Sequence, residues 1–327
     1  MKERILTKLR EAGSFVSGQE MCDTFGVSRT AVWKAIKALR EEGYEIEAVQ
    51  NKGYRLVDAP DVMTAQEIAS RLNTSWAGCE VHYYDTTGST NIEAKQFAEQ
   101  GAPHGTLVIA DTQTGGRGRR GHTWQSPSGS SIAMSLVMRP QIPPEKASML
   151  TLVMGLAVAD AIRSVSGMET QIKWPNDAVV NKKKVTGILT EMSAEPGYIQ
   201  YVVIGIGINV NSALEEFPEE IRDMATSLKL ECGHQISRAQ VITETMRYFE
   251  QYEAVFEKTL DLSGLITHYN ELLVNRDAQV RVLDPKGDYE GISRGIDAEG
   301  NLLVEACGEV RKVNAGEVSV RGLYGYT

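Results

Sequence analysis

The stretch that most constrains the fold runs from Gly115 to Trp124, and it places four glycines and three arginines within seven residues. Glycine lets a backbone reach positive φ values and approach a ligand closely. Arginine supplies a planar, permanently charged group that matches carboxylate and phosphate. The stretch is therefore predicted to be a loop that wraps an anion.

The same loop matches the letters G-x-G-x-x-G at Gly116, Gly118 and Gly121. A dinucleotide-binding fingerprint has to open a helix after its strand. Here Pro127 and Gly129 follow, where such a helix would have to continue. Residues 106–110 and 131–138 both have strand patterns, so the sequence predicts a strand–loop–strand anion cradle. It also contains no G-x-x-x-x-G-K-[ST] motif, which argues against P-loop chemistry.

A second cationic segment begins at Lys173 with the letters KWPND, and a β-hairpin is predicted after it with its turn at residues 181–183. A run of three lysines is usually a solvated turn. Lys184 differs because it begins the return strand and so points to one fixed side of it. Two cationic segments in a chain of net charge −9 indicate a site for a multiply charged ligand.

The first sixty residues have the pattern of a winged helix-turn-helix. Apolar residues at helical spacing predict a helix near Leu6, a second helix after Gly18, and a third that Ser28 caps. Alternating residues around a turn at residues 51–53 then predict a hairpin, the wing. Residues 1–57 carry ten basic and eight acidic residues, although the rest of the chain is strongly acidic. Any DNA contact is therefore expected to be local to this segment.

The candidate DNA-contacting residues lie at the start of the third helix, along its basic side and at the wing tip. They are Ser28, Arg29, Thr30, Lys34, Lys37 and Lys52. One such domain offers few phosphate contacts, so specific binding is expected to need a dimer on a two-fold site. The alternative is a small helical packing domain with a solvated basic face.

Residues 63–273 mix helical and strand patterns and are predicted to form the central domain. Ser89, Thr90 and Asn91 begin a helix, where they can bind an anion or the polar atoms of a ring; the alternative is plain capping by Ser89 or Thr90. The strand at 201–211 contains glycines, which predict close approach by another strand or a flat ligand. Asn209 on that strand can read a base edge.

Residues 277–327 alternate with period two and predict five short strands in a small SH3-like barrel. Its role is either packing, or supplying Arg321 to a triphosphate, or docking a partner domain. The chain is thus predicted to be α+β with domains at 1–60, 63–273 and 277–327.

No apolar run was found that reaches ~18 residues, and the start of the chain does not resemble a secretory signal. The four cysteines form no CxxC pair. They indicate reduced thiols in a cytoplasmic protein, with no disulfide framework and no residue assigned to a metal.

Several segments, in their order along the chain, resemble the bacterial biotin protein ligases of the bifunctional kind that also repress the biotin operon. They are residues 89–91, Gln113, the loop 116–121, the motif 173–177, Lys184 with 187–188, and 205–210. The resemblance covers nearly the whole chain, with the winged helix in front. One departure is His122, where a further basic residue is expected.

The resemblance implies a central ligase domain of the class II synthetase-like type and a two-step reaction that uses ATP and Mg²⁺. Biotin is first activated to biotinyl-5′-AMP and then transferred to a lysine of a carboxylase carrier domain. Biotinyl-5′-AMP also acts as the corepressor that favours the homodimer on operator DNA. Residues 115–124 and 211–224 are the candidate closing loops.

The implied site residues fall into three groups, each drawn from the matching segments. Those implied in catalysis are Lys184, Arg119 and Asp177, where Asp177 either supports the metal ion or holds Lys184. Those implied in biotin binding are Ser89, Thr90, Asn91, Gln113, Arg117, Gly118, Arg119 and Lys184. Those implied in nucleotide binding are Arg119, Arg120, Trp124, Asn176, Asn209 and Arg321.

Two alternatives stay open on the sequence. The central domain of a DNA-binding regulator can sense a small molecule without any chemistry, although so many phosphate partners favour an enzyme. A lipoate ligase has a related fold and another acyl group, although the Gly/Arg loop and the winged helix favour biotin.

Overall fold

A computed structural model describes residues 1–284, 287–315, 319–322 and 326–327 of the chain. The chain divides into two compact units, Met1–Leu72 and Asn73–Thr327. Among the predicted turns, Pro285 and Lys286 lie outside the described residues, and so does Val318 at the start of the last predicted strand.

The first unit is a winged helix-turn-helix, as the sequence predicts. Ser17 and Ser28 each begin a helix, and their side chains accept hydrogen bonds from the amides of Glu20 and Ala31. The elements are α1 (Lys2–Ala12), α2 (Gly18–Phe25), α3 (Arg29–Glu41), the antiparallel hairpin β1 (Glu45–Val49) and β2 (Gly53–Asp58), and α4 (Ala65–Ala69).

A buried carboxylate joins α4 to the rest of this unit. Glu67 is fully buried and accepts hydrogen bonds from Arg10, Tyr44 and Arg71. Burial alone raises the pKa of Glu67, but these hydrogen bonds outweigh it and hold the pKa below its usual range. Helix α4 therefore belongs to the first compact unit, although it follows residue 60.

The second unit is built on a seven-stranded sheet that is antiparallel except for its first pair of strands. Its strand order is β3-β4-β5-β9-β8-β7-β6. The strands are β3 (Glu80–Thr87), β4 (Thr106–Gln113), β5 (Ser131–Met138), β6 (Gln171–Lys173), β7 (Asp177–Val180), β8 (Lys183–Glu195) and β9 (Tyr198–Asn209).

Helices pack against this sheet and fill the core. They are α5 (Thr90–Glu99), α6 (Met149–Ser166), α7 (Leu228–Cys232), α8 (Arg238–Thr259) and α9 (Ile266–Leu272). Two short 3₁₀ helices occupy the region between β9 and α7. In the described part of the chain, one helical stretch, Pro144–Ser166, is long and apolar enough to cross a membrane by length and composition. Of its most apolar 18-residue window, however, 67% is buried inside the protein, so it packs as a core helix.

The end of the described chain forms a second, five-stranded antiparallel sheet, as predicted. Its order is β13-β12-β11-β10-β14, and its strands are β10 (Gln279–Leu283), β11 (Tyr289–Ile296), β12 (Leu302–Ala306), β13 (Glu309–Val313) and β14 (Ser319–Gly322). The indole N–H of Trp174 donates to the carbonyl of Gly300, so this sheet is tied to the KWPND segment.

Candidate functional site

A cavity of about 480 Å³ lies over the middle of the seven-stranded sheet. It gathers residues from the start of α5, the Gly/Arg loop, the KWPND segment and the β7–β8 hairpin. The predicted site residues that line it are Ser89, Thr90, Asn91, Gln113, Arg117, Gly118, Arg119, Arg120, Trp124, Asn176, Asp177, Lys184 and Arg321.

One end of the cavity is polar without being strongly cationic. The amide of Thr90 donates to Oε1 of Gln113 over 2.9 Å. Ser89 is the N-cap residue directly before α5, but its side chain makes no capping hydrogen bond. The alternative of plain capping is therefore not observed at this N-terminus. Residues 89–91 line the cavity instead.

Asn91 is held by residues that the sequence did not single out. Its carbonyl oxygen accepts from Ser135 (2.6 Å) and its amide donates to Glu191 (2.8 Å). Lys95 pairs with the other oxygen of Glu191 at 2.6 Å. Burial raises the pKa of Glu191, yet the hydrogen bonds from Lys95 and Asn91 outweigh it and lower the pKa. This network fixes the amide of Asn91 toward the cavity.

The Gly/Arg loop folds back on itself as a narrow arm. The amide of Trp124 donates to Gly116 (3.0 Å), and the amide of Gly118 donates to His122 (2.7 Å). A single 3₁₀ turn at Arg119–Gly121 is the only helical structure that the described loop contains between β4 and β5. The predicted strand–loop–strand arrangement is confirmed, and the Rossmann interpretation is excluded because β5 and not a helix follows the glycines.

At the strand glycines, where close approach by another strand or a flat ligand was expected, the side chain that approaches is an indole of the same chain. A Cβ built on Gly207 would lie 2.3 Å from the Trp124 ring, and one on Gly187 would lie 3.2 Å from it. These glycines are paired across β8 and β9. Because neither has a side chain, the indole can lie directly against the backbone of the sheet. The Trp124 Nε1 is buried without a hydrogen-bond partner, so a ligand acceptor placed there would satisfy it.

The other end of the cavity concentrates positive charge. The Lys184 ammonium lies 2.7 Å from Oδ1 of Asp177, and Arg119 donates to Oδ1 of Asn176 over 3.2 Å. Burial lowers the pKa of Arg119, against the attraction of Asp177. Burial also lowers the pKa of Lys173 to about 8, and the nearby cations Lys184 and Arg321 add to this effect. Several cations lie close together at this half-buried end, so the binding of an anion there is electrostatically favourable.

One predicted residue lies elsewhere. Asn209 is buried at the end of β9, opposite Ser131 of β5, and is not among the residues that line the cavity. Its assignment to the nucleotide therefore remains a prediction without support from the lining.

Sequence reasoning missed several residues of the site, including Lys95, Ser135, Lys173, Glu191 and Tyr326. Ser135 had a signal, because it is a polar residue inside an otherwise apolar strand. Lys173 stood in the quoted KWPND segment but was given no role. For Tyr326 no local pattern was available, since its contacts join positions about 150 residues apart.

The predicted DNA-contacting residues of the first unit are all exposed: Ser28, Arg29, Thr30, Lys34, Lys37 and Lys52. Arg29 donates to the side chain of Gln19 over 2.8 Å, which fixes it near the start of α3. Trp33, also on α3, is 54% exposed and was not predicted. Basic side chains around an exposed aromatic ring are suited to a phosphate backbone and base edges.

The cavity can accommodate a molecule with a polar, mostly uncharged head at one end and anionic groups at the other. The first end offers fixed amide and hydroxyl groups, and the second offers guanidinium and ammonium groups. Electrostatic stabilisation of this kind is most effective where negative charge grows during a reaction.

Three family models match the chain in order. An HTH domain matches residues 2–55, the biotin/lipoate A/B protein ligase family matches residues 83–209, and the biotin protein ligase C terminal domain matches residues 278–321. The first and last matches agree with the winged unit and with the five-stranded sheet.

Relatives similar over nearly the full length include the bifunctional ligase/repressor BirA of Bacillus spizizenii, 42% identical over 98% of both chains. The protein of that name from Escherichia coli is 32% identical over 97% of this chain and 96% of its own. Among solved structures, the biotin protein ligase from Aquifex aeolicus in complex with biotin and ATP is 28% identical with a TM-score of 0.66. It matches 75% of this chain and 99% of its own.

Proposed function

The chain belongs to the family of bifunctional ligase/repressors that carry a biotin/lipoate A/B protein ligase domain, and we propose that it is an ATP-dependent ligase for biotin and a repressor of biotin genes. The observation that carries the proposal is one cavity with two unlike ends, a hydrogen-bonding end at Asn91 and a cationic end at Lys184.

In the first step, a carboxylate oxygen of biotin attacks the α-phosphorus of ATP. The bond between the α-phosphorus and the bridging oxygen breaks, and pyrophosphate leaves with that oxygen. Two anions have to meet, so their repulsion is part of the barrier. Arg117, Arg119 and Lys184 offset this repulsion and stabilise the charge that grows on the phosphoryl oxygens in the transition state.

The biotin ring is assigned to the polar end. Thr90, Asn91 and Gln113 offer amide and hydroxyl groups to its polar atoms, and the anchoring of Asn91 by Ser135 reduces the freedom lost on binding. Ser89 and the backbone of Arg117 and Gly118 complete this end, with Lys184 at the carboxylate.

The nucleotide is assigned to the cationic end. Arg119, Arg120, Asn176 and Arg321 line the position of the phosphates, and Trp124 lies where an adenine ring can contact it. Asn209 is retained as a more remote nucleotide residue. In the described part of the chain, no three His, Cys, Asp or Glu side chains form a metal-binding group. The cationic end therefore fits a Mg²⁺ ion that phosphate oxygens and water would hold. Such an ion would neutralise part of the phosphate charge.

Asp177 is assigned to Lys184 rather than to the metal ion, because its Oδ1 lies 2.7 Å from the Lys184 ammonium. In the second step, the ε-amine of a carrier-domain lysine attacks the acyl carbon of biotinyl-5′-AMP. An amide bond forms as the bond between the acyl carbon and the phosphate oxygen breaks; AMP leaves with that oxygen, and the amine releases a proton to solvent. Water has to be excluded until then, and loops 115–124 and 211–224 are the candidates to close.

The repressor role is assigned to the winged unit. Biotinyl-5′-AMP is the corepressor if it binds better to the dimer-competent state than to the monomer, since a ligand shifts an equilibrium only by its differential affinity. A homodimer then presents two copies of α3 to operator DNA. The substrate of the enzyme is the carrier domain of a carboxylase.

Organisation and location follow from these roles. As functional divisions along the chain we retain three domains at residues 1–60, 63–273 and 277–327, although α4 packs within the first compact unit, Met1–Leu72. A cytoplasmic location is proposed because operator DNA lies there and because all four cysteines, each in the described part of the chain, are free thiols.

One incubation separates the ligase from its alternatives. Purified protein with ATP, Mg²⁺ and a biotin carrier domain is given labelled biotin or labelled lipoate. The proposal predicts label on the carrier lysine with biotin only. Label from lipoate would show that the protein is a lipoate ligase. Binding of biotin without any release of pyrophosphate would show that the central domain only senses biotin.

A further inference from the structure

Tyr326 lies in the cationic end of the cavity and contacts two of its charged groups. Its hydroxyl donates a hydrogen bond to Oδ2 of Asp177. The ammonium of Lys173 lies 3.4 Å from the centre of its ring. Tyr326 follows the five-stranded sheet in the chain, so a residue outside the ligase-domain match completes the site.

The hydrogen bond from Tyr326 has a specific consequence for Asp177. Lys184 approaches Oδ1 of Asp177 as an ion pair at 2.7 Å, but that oxygen accepts no hydrogen bond of good geometry. Among the described residues, the Tyr326 hydroxyl thus supplies the one hydrogen bond to the Asp177 side chain. Rotation of a carboxylate about its last torsion is soft, so this bond fixes the oxygen that faces Lys184.

The surroundings keep Tyr326 in its donor form. Burial and the nearby Asp177 carboxylate both raise the pKa of its phenol above the usual range. The hydroxyl therefore stays protonated at neutral pH and donates to the carboxylate. The ring meanwhile offers its negative face to Lys173 and stabilises the ammonium form.

We propose that Tyr326 is a positioning residue for adenylate formation. Its hydroxyl orients Asp177, Asp177 holds the Lys184 ammonium, and Lys184 meets the reacting carboxylate and α-phosphate. This inference rests on the proposed ligase function. Tyr326 touches no reacting atom in this assignment, so its effect is transmitted only through Asp177 and Lys184.

The proposal predicts an effect on one step only. Lys184 is assigned to the formation of the adenylate, so loss of the Tyr326 hydroxyl slows that step. Attack of the carrier lysine on adenylate supplied ready-made is unchanged. A residue that only tethers the five-stranded sheet would instead change stability, or both steps together.

The test is single-turnover kinetics on the full chain with Tyr326→Phe, which removes the hydroxyl and keeps the ring over Lys173. The adenylation rate is expected to fall about tenfold, in line with the loss of a hydrogen bond to a charged group. Transfer from preformed biotinyl-5′-AMP is expected to stay within twofold of wild type. Tyr289→Phe is the matched control, since Tyr289 lies in the five-stranded sheet that precedes Tyr326, with its ring 4.8 Å from the Arg311 guanidinium and outside the cavity.

A double-mutant cycle provides the decisive comparison. In a Lys184→Ala background, Tyr326→Phe is expected to cause no further loss, because the group that it positions is gone. Three results would each overturn the proposal. The first is an equal loss from Tyr326→Phe in the wild-type and Lys184→Ala backgrounds, and the second is an unchanged adenylation rate in Tyr326→Phe alone. The third is a parallel loss in adenylation and in transfer. A wild-type protein that forms no adenylate would instead refute the ligase function itself.

Discussion

The ammonium of Lys184 lies 2.7 Å from Oδ1 of Asp177, across the hairpin of β7 and β8. The two residues are not direct cross-strand partners, because Asp177 pairs with Gly187 and Lys184 pairs with Val179. An irregularity in the register after Ala178 brings them together. Such irregularities re-aim side chains beside functional sites, and here one places Lys184 beside Asp177 at the cationic end of the cavity.

Lys184→Ala is expected to depress adenylate formation at least a hundredfold, because removal of a preorganised donor at a developing charge costs roughly 3 kcal/mol of barrier. Single-turnover adenylation with labelled ATP measures the rate of adenylate formation. The melting temperature of the variant is expected to be unchanged. Lys183→Ala is the matched control, since neighbouring side chains of a strand point to opposite faces. Adenylation near the wild-type rate in Lys184→Ala would remove Lys184 from the mechanism.

Ser135→Ala is expected to weaken biotin binding by about five- to twentyfold, because the carbonyl of Asn91 loses its 2.6 Å partner and a buried polar group is left unpaired. Isothermal titration with biotin measures the effect. Ser131→Ala is the control, since Ser131 is a fully buried serine of the same strand that bonds to the Pro127 carbonyl instead. Equal losses in the two variants would show a general effect on β5.

The lowered pKa of Lys173 predicts that ATP binding depends on pH. Its pKa of about 8 means that the ammonium of the free protein is mostly charged at pH 7 and loses its proton as the pH rises through 8. The KM for ATP is therefore expected to rise above pH 8, by at most about tenfold per pH unit for one proton. In Lys173→Met the KM is expected to be higher at pH 7 and nearly flat up to pH 9. A wild-type KM that stays flat over the same range contradicts this role.

The same shift predicts a trend in stability. A lysine of the unfolded chain titrates near ~10.4, so between pH 8 and that value the unfolded state binds more protons than the folded state. The contribution of Lys173 to stability therefore rises with pH across this window. The change in melting temperature from pH 8 to pH 10 is expected to be less favourable to the folded state in Lys173→Met than in wild type, by an amount that reports this one group.

Lys52→Ala is expected to weaken DNA binding about equally on all sequences and to reduce the salt slope by about 0.9 for each copy bound. Lys52 is exposed at the tip of the wing and is assigned to a phosphate. Fluorescence anisotropy over a salt series measures the slope. Lys258→Ala, an exposed lysine of α8, is the control, and adenylate formation is expected to be normal in both. An unchanged slope in Lys52→Ala would remove the wing tip from the interface.

Local patterns were sufficient for most of the elements. Alternation predicted β5 at Ser131–Met138 with its observed bounds, and the serine before α3 correctly marked the start of that helix. The prolines and glycines after the Gly/Arg loop correctly excluded a Rossmann helix. These successes share one physical reason, since each depends on the backbone preferences of a few adjacent residues.

The remaining features depend on contacts between distant parts of the chain. Periodicity identified the glycines of β9 as a place of close approach, but the group that approaches Gly207 is the indole of Trp124, about eighty residues earlier. Glu67 joins α4 to the winged unit through Arg10, which no local signal marks.

The most direct test of the account is pyrophosphate exchange into ATP by the purified full chain with Mg²⁺, with and without biotin. The account predicts exchange that depends on biotin and is lost at least a hundredfold in Lys184→Ala. Absence of biotin-dependent exchange in a folded wild-type protein that still binds both biotin and ATP would contradict it.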